Sequence, residues 1–98
     1  MPLVVEFSKW ARENLKGLRK RDQQILFDAI AVQLVDQPDK PTRNRKRLEE
    51  NDLAPWELRV GDFRVFYDVD EDAERVVVIA VGKKTHNTLR IGGEEIDL

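Results

Sequence analysis

WELRVGDFRVFY (residues 56–67) and RVVVIAVGKK (residues 75–84), separated by an acidic gap, decide the fold of this 98-residue chain. Apolar residues alternate with other types on both sides of Gly61-Asp62. A two-residue connection that starts with glycine, between alternating runs, is typical of a tight hairpin with a primed turn. We therefore predict a β-hairpin over residues 55–69.

The register of this hairpin follows from its turn. If Val60 lies opposite Phe63, then Arg59 lies opposite Arg64, and side chains alternate between two faces. The apolar face carries Leu58, Val60, Phe63 and Val65, and the other carries Glu57, Arg59, Arg64 and Phe66. Two arginines directly across a strand pair repel. The charge of such a pair is either offset by nearby carboxylates on a solvated face or retained to bind an anion. The residues alone leave both interpretations open.

Residues Arg75 to Val81 form a continuous β-branched run, which indicates a strand buried on both faces at the centre of the sheet. Antiparallel pairing with residues 63–69, through an acidic turn, returns its far end beside Phe63 and Arg64. Lys83, Lys84 and the loop that holds His86 then approach the two arginines. We expect a cationic cluster with one imidazole on a rigid sheet.

The chain before this sheet predicts a strand and two helices. Leu3–Phe7 is short and β-branched, and Ser8 is the expected N-cap of a short helix that ends near Gly17. Trp10 lies on the apolar stripe of that helix and is assigned to the core. A longer amphipathic helix is predicted from Arg19 to Asp36.

Two further segments are polar. Residues 38–54 form the main connection, and five of the eight residues from 40 to 47 are basic. A basic surface loop is the plain reading; alternatively, the loop extends an RNA track through Arg43, Arg45, Lys46 and Arg47. Residues 89–98 predict a last short extended segment with a glycine bend.

Composition narrows the functional classes. The length suits a single domain over residues 1–98. The chain has no cysteine, no apolar run of membrane length and no signal-peptide pattern, so we expect a cytoplasmic protein without a membrane partner. The net charge is only −2, but Lys and Arg outnumber Asp and Glu by 4 to 0 over residues 75–90. This distribution leaves room for a basic groove.

The side chains left for chemistry are cations and one histidine. Cations stabilise negative charge on a phosphate, and a base such as His86 activates an internal hydroxyl of RNA, so neither metal nor cofactor is required. The candidate catalytic residues are Arg59, Arg64, Lys84 and His86. The candidate RNA-binding residues are Lys83 and Arg90, together with the four cations of the basic loop.

The quoted motifs, with GKKTH after the last core strand, resemble the RelE/ParE superfamily of bacterial type II toxins. The resemblance implies an α+β fold in which two N-terminal helices pack on a small antiparallel sheet in the order β-α-α-β-β-β, with a possible extra C-terminal strand. It also implies an antitoxin partner and ribosome-dependent mRNA cleavage in RelE-like members. By position, Arg59 and Arg64 resemble the two sheet cations of the family, and Lys84 resembles the cation after the last core strand. Binding of operator DNA would go through the antitoxin.

Glu57 stands where the ribosome-dependent nucleases tend to have a lysine, which makes His86 the more important acid/base candidate. Three functional classes follow from the resemblance. The first is a metal-independent mRNA endonuclease, the second is a ParE-like inhibitor of DNA gyrase, and the third is a module that binds its antitoxin but has lost toxicity.

Overall fold

The computed structural model describes residues 3–98, which form two helices and a seven-stranded sheet. The helices are α1 (Lys9–Lys16) and α2 (Lys20–Gln33). The strands are β1 (Val4–Phe7), β2 (Arg45–Arg47), β3 (Trp56–Val60), β4 (Phe63–Asp70), β5 (Arg75–Thr85), β6 (Thr88–Ile91) and β7 (Glu94–Ile96). This α+β arrangement confirms the predicted fold class.

The sheet runs in the order β2-β3-β4-β5-β6-β7, and each neighbouring pair is antiparallel. β1 pairs parallel with the first part of β5, while β6 pairs with its last part along the same side. The central position of β5 confirms the prediction from its apolar run. The structure adds two features that the sequence did not indicate: β2 within the basic connection, and a C-terminal hairpin in place of one extended segment.

Helix α1 covers the edge of β5 between β1 and β6. Ser8 is the N-cap as predicted, since its Oγ accepts from the Ala11 N–H at 3.0 Å and also donates to the Ile79 carbonyl at 2.6 Å. Asn14 Oδ1 accepts from the Val81 N–H at 3.0 Å. The two polar side chains thus satisfy backbone groups that no neighbouring strand reaches.

Apolar clusters lie on both sides of the sheet. On the helix face, where α1 and α2 pack, Leu15, Leu26 and Ile30 meet the sheet residues Leu58, Val65 and Tyr67. On the opposite side, which we call the far face, Phe66, Ala80 and Leu89 are buried under residues such as Leu53 and Ile96. Burial on both sides holds the central strands in place by the hydrophobic effect.

Two details of the helices differ from the predictions. Trp10 is 39% exposed, so its assignment to the core was wrong, whereas Ala11 and Leu15 of the same helix are buried. Helix α2 ends at Gln33 rather than Asp36, because Leu34 is already its C-cap. No helix within residues 3–98 is both long enough and apolar enough to cross a membrane.

Candidate nucleic-acid interface

The β3–β4 hairpin places the two arginines as the register predicted. Val60 lies opposite Phe63 and Arg59 lies opposite Arg64. Gly61 has a φ of 58°, which is the left-handed region that the first turn residue of a primed hairpin requires. Both arginines therefore belong to the far face, on the two neighbouring strands.

Arg64 is held in place by its own turn. Its Nη1 donates to the carbonyls of Gly61 and Phe63, each at 2.8 Å. Its Nε lies 3.8 Å from Oε1 of Glu57, and the side chains of Arg64 and Glu57 are only 11% and 15% exposed. Arg64 is thus a preorganised cation, with part of its charge offset by a carboxylate. Arg59, in contrast, is exposed.

A β-bulge decides which lysine joins the arginines. Tyr67 lies opposite Val78, but Phe66 lies opposite Ala80, so Ile79 is an extra residue in β5. After the bulge, Arg64 lies opposite Gly82, and Lys84 follows on the same face two residues further. Lys83, which lies opposite Phe63, is on the helix face. The predicted cluster is therefore divided between the two faces of the sheet.

His86 is not brought to the arginine pair. It occupies the tip of the β5–β6 hairpin, where His86 and Asn87 have φ values of 51° and 67°, as in a type I′ turn. It lies four residues beyond Gly82, the partner of Arg64, which corresponds to roughly 13 Å along the strand. The carboxylate that pairs with Arg64 is that of Glu57, at 3.8 Å. Sequence reasoning treated Glu57 as a departure from the family, although the alternation already placed it on this face.

The four cations of the basic connection also lie in different places instead of forming one cluster. Arg45 is 9% exposed, and it donates to the carbonyls of Lys40 (3.1 Å, from Nε) and Gln33 (2.7 Å, from Nη1). The side chain of Arg45 is thus committed to the backbone, whereas the RNA-binding role predicted for it needs an exposed guanidinium. Arg47 lies over the Trp56 ring at 5.8 Å, on the helix face. Arg43 is exposed in the loop.

Only Lys46 of this group reaches the far face, where it lies opposite Glu57. Lys46, Glu57 and Lys84 line a groove of about 470 Å³, walled by the loop of residues 47–51 and by Leu98. These two lysines and one carboxylate come from β2, β3 and β5, and the wall adds Arg47, Glu49 and Glu50 to the lining. Within residues 3–98, no group of three or more His, Asp or Glu side chains is arranged to hold a metal ion.

This hairpin and strand pattern matches a known protein family. The family model described as "ParE toxin of type II toxin-antitoxin system, parDE" matches residues 5–87, which include both helices, strands β2 to β5 and all of β1 except Val4. The chain belongs to this toxin family. It thereby falls within the RelE/ParE superfamily that its motifs resemble.

Individual relatives agree with this assignment. The toxin is 30% identical to Toxin RelG of Mycobacterium tuberculosis over 81 residues, which cover 83% of this chain and 90% of the relative. Its fold is similar to that of a chain in the crystal structure of the toxin-antitoxin complex RelBE2 from the same organism, with a TM-score of 0.73 and 25% identity. The match covers 86% of this chain and 100% of the chain in that structure. The archaeal RelE-RelB complex from Pyrococcus horikoshii gives a TM-score of 0.65 at 20% identity, with coverage of 83% and 93%, which is a likeness of fold.

Proposed function

We propose that this toxin is a metal-independent endoribonuclease that cuts mRNA on the ribosome in the cytoplasm. The observation that carries the proposal is the position of Arg59, Arg64 and Lys84 on one face of three adjacent strands. A sheet fixes the distances between such cations, so they meet the developing charge of a phosphate without reorganisation.

The reaction assigned to this face is the attack of a ribose 2′-hydroxyl on the adjacent phosphate. Glu57 accepts the proton of the hydroxyl, because it is the carboxylate nearest to Arg64. Arg64 and Lys84 stabilise the charge on the phosphate oxygens. The P–O bond to the 5′-oxygen breaks, and that oxygen takes a proton from water. The hydroxide left behind takes the proton held by Glu57, which restores the carboxylate, and the products are a 2′,3′-cyclic phosphate and a 5′-hydroxyl end.

The experiment maps new RNA 5′ ends across the transcriptome shortly after the toxin is induced alone, with Arg64→Ala, Glu57→Gln and His86→Ala in parallel. We expect cuts inside translated codons that vanish with Arg64→Ala and Glu57→Gln. If His86→Ala abolishes the cuts while Glu57→Gln does not, the proton acceptor is the histidine. Full toxicity of Arg64→Ala would refute the proposal for this face.

A cognate antitoxin is the proposed protein partner. Support comes from the two solved structures that the toxin resembles, both of which are toxin-antitoxin complexes. Binding of operator DNA by the complex is assigned to the antitoxin. Coexpression with the neighbouring open reading frame tests this partner: growth should recover, and the two proteins should copurify. Growth arrest that persists at equal expression would exclude that reading frame as the antitoxin.

A second candidate function is inhibition of DNA gyrase, which one specific observation favours. The Arg64 guanidinium is already engaged by two carbonyls and lies beside Glu57, so less of its charge is left for RNA. Growth arrest without new RNA ends, together with loss of supercoiling by purified gyrase, would establish this function. If neither effect is seen, the chain is an antitoxin-binding module without toxicity.

A further inference from the structure

A second groove lies on the helix face, separate from the far-face cations. It has a volume of about 600 Å³ and lies between the end of α1, the start of β4, the ends of β5 and β6, and the β6–β7 turn. We call it the helix-face groove, and its lining includes Glu13, Gly17, Phe63, Lys83, Arg90 and Gly92. A cavity of this size suits a small ligand or one unit of a polymer.

Two cations face each other in this groove. Lys83 and Arg90 are directly opposed across β5 and β6, so their side chains share one face and repel each other. Neither forms an ion pair within the part of the chain that the structure describes. Glu95 lies opposite Arg90 on β7, but it does not come within ion-pairing distance. The fold thus keeps two like charges adjacent without offsetting them.

The aromatic neighbour fixes one of these cations. The Lys83 ammonium lies 5.6 Å from the centre of the Phe63 ring, a cation–π contact that orients it within the groove. Leu18 and Val81 add apolar wall, which lowers the local dielectric and strengthens the interaction of the cations with an anion. Counting Glu13, the ionisable lining groups carry one net positive charge, which matches the single negative charge of a phosphodiester.

We infer that the helix-face groove binds a phosphodiester of single-stranded RNA between Lys83 and Arg90. The choice of nucleic acid over an acidic peptide rests on the proposed function and on one geometric relation. Lys83 and Lys84 are consecutive and project to opposite faces, so their Cα atoms are only about 3.8 Å apart. An RNA strand that contacts Lys84 on the far face can pass the end of β5 and enter the groove.

The test uses an RNA that cannot be cut, so that binding is measured whether or not the toxin is a nuclease. A tetraadenylate with 2′-O-methyl riboses is titrated into the isotope-labelled toxin, and the backbone amides are followed by NMR. We expect shifts at Gly17, Gly92 and Gly93. Lys83→Ala combined with Arg90→Ala should weaken the affinity that these shifts report by at least about tenfold, because two charge-assisted contacts are lost.

The matched control is Arg59→Ala combined with Lys84→Ala, which also removes two cations but only from the far face. Its groove amides should still shift, and amide spectra of both double variants report whether they fold. Shifts confined to the far face would overturn the inference. Equal shifts with inorganic phosphate at matched ionic strength would assign the groove to free phosphate. Saturation by a polyglutamate peptide but not by RNA would assign it to an acidic protein. Either result would overturn the RNA assignment.

Discussion

Raising the pH above about 10 should destabilise this protein through one side chain, Tyr67. Its ring is buried against Trp56, and its hydroxyl donates to the Pro38 carbonyl at 2.7 Å. Burial raises the pKa of Tyr67 well above its ordinary value of about 10, and nearby Asp39 adds to this effect, whereas the charge of Arg45 opposes it. The folded protein therefore keeps the proton at a pH where the unfolded chain loses it.

The magnitude follows from that difference in protonation. The stabilisation is complete below the unfolded pKa and is lost as the pH rises towards the folded one. In that window the free energy of unfolding falls by about 1.4 kcal/mol per pH unit from this group alone. At pH about 11 the loss amounts to roughly 1.4 kcal/mol, a sizeable part of the stability of a small domain.

Urea unfolding of the wild type and of Tyr67→Phe, at pH values from about 8 to about 11, measures this effect. Near neutral pH the variant should be less stable by about 1 kcal/mol, because the Pro38 carbonyl loses its donor. Between pH about 9 and about 11 the wild type should lose about 1.4 kcal/mol that the variant keeps, so the two stability curves should cross. Lysines titrate in both proteins, so the variant serves as the control for them.

The sequence supplies a direct readout as well. Tyr67 is the only tyrosine in the chain, so the ultraviolet absorbance of tyrosinate reports on this group without assignment. Titration of the folded protein near pH 10, or parallel stability curves for the two proteins, would refute the reasoning.

Three further perturbations have expected outcomes. Gly82→Ala should cost about 1–3 kcal/mol in urea unfolding, because the new Cβ would lie 2.6 Å from the Arg90 carbonyl oxygen; an unchanged midpoint would show that β6 can move away at no cost. Arg45→Ala should cost about 1–3 kcal/mol by the same measurement, since the carbonyls of Gln33 and Lys40 lose their donor, and a neutral result would mean that water replaces the guanidinium. Glu57→Gln should tighten binding of uncleavable RNA several-fold, because Arg64 regains its full charge; weaker binding would contradict the charge balance described for the far face.

The sequence predicted local structure well where one residue type decides it. Gly61 permits the turn, and the alternation around it determines the register that places Arg59 opposite Arg64. Ser8 was recognisable as an N-cap because a hydroxyl before a helical run satisfies free N–H groups. Each of these predictions depends on neighbours within a few residues.

The predictions failed where distant segments decide the outcome. Nothing in the β-branched run of β5 marks Ile79 as the extra residue, so which of Lys83 and Lys84 shares the face of the arginines could not be read from it. Arg45 looked like any other cation of a basic loop, and only tertiary structure brings the Gln33 carbonyl to it. Trp10 fitted the apolar stripe of α1, but tertiary packing leaves it 39% exposed.

The extra residue in β5 has an evolutionary consequence. If Ile79 paired with Phe66 instead of bulging, the first register would continue, and Arg64 would lie opposite Val81 instead of Gly82. Lys83 would then accompany the arginines, and Lys84 would turn to the helix face. A one-residue slip that removes the bulge could thus exchange the charges of two surfaces with no substitution at either lysine, whereas deletion of Ile79 would keep Arg64 opposite Gly82. Related toxins in which this strand pairs without the bulge could diverge in target by that route, while the rest of the fold stays the same.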